Sequence, residues 1–344
     1  MDAGRRRYRR RGGLGCPVRP DDDARVRLLS VPAGGPGPRR QPSADRSALA
    51  LATEASYLDL SPPTDARPFF FNQLRLGRLL DQDVFTLASR VGVYGGNLSA
   101  TLTLAMLILI SAILVAATII VPLRSMVSSR PSGLIGAGTF YFGLIGIGFM
   151  MVEIGLLQRI SVFLGHPVYA LSVVLFSLIL STGIGSLVSE RVPLDSSARL
   201  VSWSALTSLY LLLLPLWLPA ILLRLESEGL LLRAGLAVLV LAPAGFLMGF
   251  GFPTGMRLVS AIDKKPTPWF WGINGAAGVL AASVAVLTSI EFGIDTTLRI
   301  GAICYLLLPG PALLLARCAR AMRASGRSIG DEGPPSTLDP TSIS

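Results

Sequence analysis

Seven long, almost uncharged apolar runs constrain the fold of this chain more than any other feature of its sequence. The runs cover residues 98–122, 133–157, 168–188, 201–223, 231–255, 269–290 and 298–316. Each has about 18–25 residues, which is enough for a helix to cross roughly 30 Å of hydrocarbon. Backbone polar groups inside lipid must be paired within the membrane-spanning structure. We therefore predict an all-α polytopic integral membrane protein with about seven transmembrane helices.

Composition excludes several classes of function. Of the 344 residues, 51% are hydrophobic and 15% are charged, and the mean hydropathy is +0.59, whereas soluble domains are near 25% charged. The excess of basic residues is almost entirely arginine and lacks interleaved aromatic residues, so we expect no nucleic-acid partner. Phosphate-binding loops, dinucleotide fingerprints, zinc spacings and nucleophile elbows are missing from the sequence. We therefore predict no catalytic, cofactor-binding or metal-ligating residue.

The chain divides into four parts by composition. Residues 1–45 are rich in Arg, Gly and Pro and are predicted to be a disordered basic segment or, after a misassigned start or a frameshift, a non-native one. Residues 46–96 form a short amphipathic segment that is too small to bury a core alone. Residues 97–317 form the transmembrane helical domain, and residues 318–344 are predicted to be a disordered tail.

Basic residues are distributed unequally between the two ends of the predicted bundle. The connections on the side of the N-terminus carry four arginines, Arg159, Arg224, Arg233 and Arg299. The opposite side carries eleven basic residues, Arg124, Arg130, Arg191, Arg199, Arg257, Lys264, Lys265, Arg317, Arg320, Arg323 and Arg327. The positive-inside rule then places the C-terminal side in the cytoplasm. The basic N-terminal segment indicates the opposite orientation, and a re-entrant run would place both ends in the cytoplasm, so the orientation stays open.

A carboxylate within an apolar run is the sharpest functional signal. Glu153 lies in GLIGIGFMMVEIGLLQR, near the end of the second run. A charged group in hydrocarbon costs several kcal/mol, about 2.5–3.5 on insertion scales, unless it is paired, protonated or in contact with water. Glu153 is thus predicted either to line a polar cavity or proton path, or to pair with Arg159, His166 or a neighbouring helix.

Two further polar residues are candidates. His166 lies between Gly165 and Pro167 at the start of the third run, where it either accepts a proton near Glu153 or caps the helix. Asn274 lies in PWFWGINGAAGVL and forms either an interhelical hydrogen bond or a ligand contact. Glycines in GFLMGFGFPTG favour close helix packing, and this segment also breaks a helix, which is typical of helices that line substrate sites.

Three long motifs resemble one protein family. The segments SPPTDARPFFFNQLR, GIGFMMVEIGLLQRISVFLGHPVYALSVVLFSLILSTGIGS and PWFWGINGAAGVLAASVAVL together resemble the C-terminal membrane portion of bacterial spermidine synthase-like integral membrane proteins. The resemblance covers roughly residues 50–316. It implies that residues 46–96 are the junction left from a soluble synthase-like domain, although Ala66 stands where the family pattern has a second Asp. The Gly-rich cofactor-binding segment of that domain has no counterpart here.

The resemblance also implies a function and a location. The chain would be the membrane module of a spermidine synthase-like protein in the bacterial cytoplasmic membrane. It would anchor an adjoining synthase domain and handle a polyamine or a related small cation. From the residues themselves, the candidate intramembrane polar site consists of Glu153, His166, Asn274 and Arg159, with Glu153 as the cation or proton partner. The lipid bilayer and a soluble synthase-like domain are the expected partners, and no catalysis is expected from this chain alone. A stand-alone transporter and a passive membrane scaffold are the alternatives.

Overall fold

The computed structural model describes residues 92–127 and 132–330, together with Thr64, Arg67 and Pro68. Side chains in the helical part are described for residues 99–122, 124–125 and 133–320. The predicted basic segment 1–45 and residues 331–344 lie outside the described residues. Within the predicted junction, Thr64 and Arg67 form an isolated antiparallel bridge.

The described residues fold into helices, which confirms the prediction of an all-α polytopic protein. The helices are α1 (Gly92–Val115), α2 (Val121–Val127), α3 (Ser132–Leu164), α4 (Pro167–Arg191), α5 (Ser197–Leu225), α6 (Leu230–Met248), α7 (Gly251–Ser260), α8 (Thr267–Phe292), α9 (Ile294–Leu307) and α10 (Pro309–Gly330), and a π-helical turn (Ala116–Ile120) joins α1 to α2. Within the part of the chain that the structure describes, seven segments are long and apolar enough to span a membrane. They are Ser99–Ile120, Gly133–Leu164, Pro167–Arg191, Ser197–Leu225, Leu230–Ser260, Thr267–Phe292 and Ile294–Arg320.

Six of the seven spans extend beyond the predicted runs, and two of these extensions each contain one member of the same ion pair. The second span continues past residue 157 to Leu164, and the last span begins at Ile294 rather than at residue 298. Arg159 and Asp295 interrupt the apolar pattern at these two places. The two side chains form an ion pair between α3 and α9. Each charge neutralises the other. Helices α3 and α9 can therefore include Arg159 and Asp295, although hydropathy alone would leave both residues outside the apolar runs.

Helix α10 continues past the start of the predicted C-terminal tail at residue 318 and ends at Gly330. Residues 318–330 are rich in Ala and Arg, which have high helix propensity. They also extend a helix that is already formed, and adding a residue to a helix is much easier than nucleating one.

Glycine and proline determine where the long helices turn or break. Gly165 (φ 72°) and Gly293 (φ 89°) have left-handed backbone conformations and form the tight turns after α3 and α8. The fifth span is interrupted at Gly249 and Phe250, between α6 and α7. Pro253 lacks an N–H group and therefore leaves the carbonyl of Gly249 without its helical donor. The GFPTG segment thus follows the break and begins α7.

Helix α3 forms the centre of the bundle. It packs against α4 and against each of the helices α6 to α10. In its span 56% of the most apolar stretch is buried inside the protein, compared with 6% for the first span. The Phe142 ring on α3 stacks on Phe270 of α8 at 5.4 Å between ring centroids and meets Phe252 of α7 edge-on at 5.2 Å.

Candidate functional site

A large cavity lies between the two most closely packed helix pairs, α3–α8 and α4–α6. Its volume is about 740 Å³, which falls within the range of 300–1,000 Å³ typical of small-molecule sites. Most of the lining is apolar, with side chains such as Ile145, Phe149 and Met248. The described residues that line it include no charged side chain. The cavity can therefore surround an apolar molecule without placing it against an ionised group.

Three buried oxygen atoms without hydrogen-bond partners belong to residues that line this cavity. They are Thr182 Oγ1 on α4, Asn274 Oδ1 on α8 and the Tyr305 hydroxyl oxygen on α9. The side chains that the structure describes contain six such unpartnered buried atoms, and half of them are at this one site. A buried polar group without a hydrogen bond costs about 1–3 kcal/mol. A ligand that forms hydrogen bonds with these three residues would remove that cost.

Glycines hold the walls of the cavity close together. A Cβ atom on Gly146 would overlap the Asn274 carbonyl oxygen and come within 3.1 Å of the Gly278 nitrogen, so α3 and α8 touch at backbone level. A Cβ atom on Gly249 would overlap the Thr182 carbonyl oxygen, so α4 and α6 do the same. Small residues allow this approach between membrane helices. The GFLMGFGFPTG segment thus packs closely against α4 and also lines the cavity, and the sequence predicted both properties for it.

The cavity opens on the lateral surface of the bundle. Gly183, Trp271, Gly275 and Val279 belong to the lining and are also exposed. Nothing lies within 4 Å of a Cβ atom built on Gly183 or Gly275, so the mouth of the cavity is wide at these glycines. The four residues lie within membrane-spanning segments. A molecule dissolved in the hydrocarbon can therefore enter the cavity from the side.

The structure places Asn274 in this cavity. The sequence left open an interhelical hydrogen bond or a ligand contact, and the side-chain oxygen of Asn274 forms no hydrogen bond with any described residue. The neighbouring Trp271 is 58% exposed and packs edge-on against Phe252 at 4.5 Å. Asn274 thus lines the cavity with a buried side-chain oxygen that has no hydrogen-bond partner among the described residues.

Glu153 lies on the same face of α3 as the cavity, three residues beyond Met150. It is half-buried, and it forms no ion pair or hydrogen bond within the part of the chain that the structure describes. The predicted partner Arg159 is paired with Asp295 instead. Glu153 is therefore an unpaired carboxyl group next to the cavity rather than a member of a structural ion pair.

Arg159 has a structural environment. Its side chain is 4% exposed and its Nη2 atom donates to Oδ1 of Asp295, in the first turn of α9. The positive end of the α9 helix dipole also stabilises the Asp295 carboxylate. A pocket of about 420 Å³ adjoins Arg159 at this end of the bundle, and it is also lined by Glu226 and Arg233.

His166 caps a helix. Its Nδ1 atom accepts a hydrogen bond of 3.4 Å from the backbone N–H of Val168, and Pro167 occupies the first position of α4. The His166 ring is exposed and lies 5.1 Å from the Tyr169 ring. The four candidate residues therefore do not form one site, because Asn274 alone lies in the cavity.

Sequence reasoning did not identify Thr182 or Tyr305 as site residues. Thr182 stands in the segment STGIGS, where a polar residue precedes two glycines in an apolar run, and this pattern was available as a signal. Tyr305 has no comparable signal. Its ring packs against α3 at Gly148, where a Cβ atom would come within 3.1 Å of Tyr305 Cε2, so its place in the lining depends on contact between distant helices.

No protein-family model, curated protein or solved structure matches this chain.

Proposed function

We propose that this chain is a membrane-embedded binding module whose cavity takes a neutral, largely apolar ligand with one or two hydrogen-bonding groups. One observation carries the proposal: Thr182, Asn274 and Tyr305, each with an unpartnered buried oxygen, line the same cavity. Buried polar atoms are paired in the great majority of cases, so three exceptions at one site need an explanation. A ligand-binding role supplies it.

The chemistry of the lining indicates what kind of ligand fits. The side-chain amide oxygen of Asn274, Oδ1, accepts a hydrogen bond, while the Thr182 and Tyr305 hydroxyl groups donate or accept one. A ligand hydroxyl or amide group can satisfy these atoms. The apolar walls suit a hydrocarbon portion, and the lateral mouth suits entry from the bilayer. A neutral lipid with free hydroxyl groups, such as a diacylglycerol, has these properties.

The resemblance to bacterial spermidine synthase-like membrane proteins places this module in a larger context. In that context the module anchors an adjoining synthase domain at the bacterial cytoplasmic membrane, and the cavity serves that assembly. The seven membrane-spanning segments support the anchoring role. The synthase domain itself is an expectation from the resemblance alone.

Photocrosslinking tests the proposal. The purified chain in lipid nanodiscs is labelled with a photoreactive diacylglycerol, with unlabelled dioleoylglycerol as competitor. We expect saturable labelling at the cavity and a loss of about fivefold in Thr182→Val, since one hydrogen bond is worth about 1 kcal/mol. Ser208→Ala is the matched control, because Ser208 Oγ is also buried and unpartnered but lies outside the cavity.

A second pair of variants tests the same proposal sterically. Gly275→Leu fills the mouth of the cavity, whereas Gly136→Leu adds the same side chain at an equally open position that is not part of the lining. We expect Gly275→Leu alone to abolish labelling. Equal labelling of both variants would contradict the cavity as the binding site.

A second candidate function rests on Glu153. Its half-buried carboxyl group has no partner among the described residues, which is unusual for an acid within a membrane span. It is a suitable partner for a polyamine or a related cation, as the resemblance suggests. Spermidine binding and spermidine flux in proteoliposomes should fall in Glu153→Gln and not in Glu190→Gln, whose acid is exposed at the end of α4. Unchanged binding and flux in Glu153→Gln would rule out this function.

A further inference from the structure

A second cavity lies at the opposite end of α4 from His166, where the chain turns from α4 into α5. Its volume is about 620 Å³, and it is bordered by this turn, by α7 and by α10. Its polar lining residues include Asp195, Ser196, Ser197, Arg257 and Arg320. This cavity differs from the apolar one because basic side chains form part of its wall.

Arg257 is held in a fixed position in this wall. Its Nη1 atom donates to the Ser189 carbonyl oxygen at 3.1 Å, and its Nη2 atom donates to Thr254 Oγ1 at 3.2 Å. Thr254 is almost fully buried. A guanidinium group has five N–H donors, so donors remain for a ligand after these two bonds. Arg257 forms no ion pair with any described acid.

Two further groups favour an anion in this cavity. Arg320 lies on the α10 side, where its Nε atom donates only to the Ala316 carbonyl oxygen of its own helix, at 3.4 Å. Helix α5 begins at Ser197 in the same wall, and the N-terminus of a helix of 29 residues attracts negative charge. Among the described residues that line the cavity, Asp195 is the one acid, so the lining has two arginines and one carboxylate.

The position of the cavity relative to the membrane fits an anionic lipid. Other basic residues surround this end of the bundle among the described residues, namely Arg191, Arg199, Lys264, Lys265 and Arg317. The positive-inside rule assigns such an end to the cytoplasm, and basic pockets between membrane helices on that side bind phosphorylated head groups. At the other end Arg159 is neutralised by Asp295, and Arg233 lies over the Phe163 ring.

We propose that the cavity between the α4–α5 turn, α7 and α10 is a phosphate-binding site, with Arg257 and Arg320 as the ligating side chains. The phosphate belongs to the head group of an anionic phospholipid or is free inorganic phosphate. Arginine suits this role because its planar guanidinium group forms paired hydrogen bonds with phosphate oxygens. This site is independent of the apolar cavity and of its ligand.

Lipid retention provides the first test. The full chain is reconstituted in nanodiscs of phosphatidylcholine with and without phosphatidylglycerol, and native mass spectrometry counts the lipids that remain bound. We expect retained phosphatidylglycerol on the wild type and about tenfold less on the double variant Arg257→Gln/Arg320→Gln, which corresponds to a loss of about 1.4 kcal/mol. The control Lys264→Gln/Lys265→Gln removes the same charge outside the lining and should behave like the wild type.

Inorganic phosphate distinguishes the two sources of the ligand. In nanodiscs of phosphatidylcholine alone, phosphate that raises the unfolding temperature of the wild type but not of the double variant identifies free phosphate as the ligand. Retention of phosphatidylglycerol without a response to phosphate identifies the lipid. Either result supports the site. Equal retention and equal phosphate response in the wild type and in the double variant overturn it.

Two milder variants keep the proposal testable if the double variant fails to fold. Arg257 links α4 to α7, so its loss can disturb the bundle, whereas Arg320→Gln removes an exposed side chain whose hydrogen bond among the described residues is to its own helix. Arg320→Gln should lower retention, and Arg257→Lys should keep the charge and part of the binding. Thr182→Val, in the apolar cavity, should leave phosphatidylglycerol retention unchanged. If Arg320→Gln and Arg257→Lys both retain the lipid like the wild type, the proposal is wrong.

Discussion

Two buried tyrosines provide the most direct test of the apolar cavity. Tyr141 and Tyr305 are both fully buried, at 0% and 1% exposure. The Tyr141 hydroxyl group donates to the Gly251 carbonyl oxygen at 2.8 Å, whereas the Tyr305 hydroxyl group has no partner. Replacing each by Phe removes one oxygen atom and leaves the packed ring in place. The difference between the two variants therefore isolates the hydrogen bond.

The two substitutions should have different effects on the free energy of unfolding. Tyr141→Phe loses one hydrogen bond and should lower this free energy by about 0.5–1.5 kcal/mol. Tyr305→Phe removes a buried group that is desolvated without compensation, so the free energy should stay the same or rise by up to about 1 kcal/mol. We therefore expect the two variants to differ by about 0.5–2.5 kcal/mol in the ligand-free protein.

Reversible unfolding in mixed detergent micelles, followed by circular dichroism, measures both variants under the same conditions. Labelling by the photoreactive diacylglycerol gives a second measurement, which should fall in Tyr305→Phe and not in Tyr141→Phe. A Tyr305→Phe variant that is destabilised as much as Tyr141→Phe would refute the reasoning. In that case the Tyr305 hydroxyl group has a permanent partner, such as a bound water, and is not available to a ligand.

Three further predictions concern packing, charge and backbone geometry. Gly146→Ala should lower the free energy of unfolding by about 1–3 kcal/mol, because its Cβ atom would overlap the backbone of α8, whereas Gly275→Ala at the open mouth should change it by less than about 0.5 kcal/mol. Asp295→Asn should cost about 3 kcal/mol by leaving Arg159 buried without a counter-charge, near the lower end of the usual range because Asp295 is 29% exposed. Gly165→Ala should cost about 1–2 kcal/mol, because φ is 72° at this turn.

The same unfolding assay checks these three predictions. Gly146→Ala and Gly275→Ala with equal stability would contradict the contact between α3 and α8 at the cavity. The double variant Arg159→Leu/Asp295→Leu is the control for the ion pair, because it removes both charges and should recover most of the stability that Asp295→Asn loses. A Gly165→Ala variant as stable as the wild type would contradict the left-handed conformation of that residue.

The polar residues show how far the sequence alone leads towards the candidate site. Asn274 was a candidate from the sequence because an amide group within an apolar run needs a partner, and it does line the cavity. Thr182 and Tyr305 complete the set but come from two other helices. His166 was predicted either to cap a helix or to take part in proton chemistry, and the geometry of the cap is the one observed. Its neighbours Gly165 and Pro167 already indicate that turn.

The sequence by itself determined the membrane-spanning architecture. Hydrocarbon offers no hydrogen bonds, so seven apolar runs of sufficient length have no alternative to the helix. Local composition is enough for that conclusion, because each helix satisfies its own backbone.

Only the tertiary structure decided which polar groups are paired and which are available. Arg159 pairs with Asp295, which is 136 residues away in the chain, and Glu153 is thereby left without the partner that sequence proximity predicts. The cavity likewise exists only where Gly146 and Gly249 bring two helix pairs together. Both results depend on how helices pack against one another, and this packing brings together residues that lie far apart in the sequence.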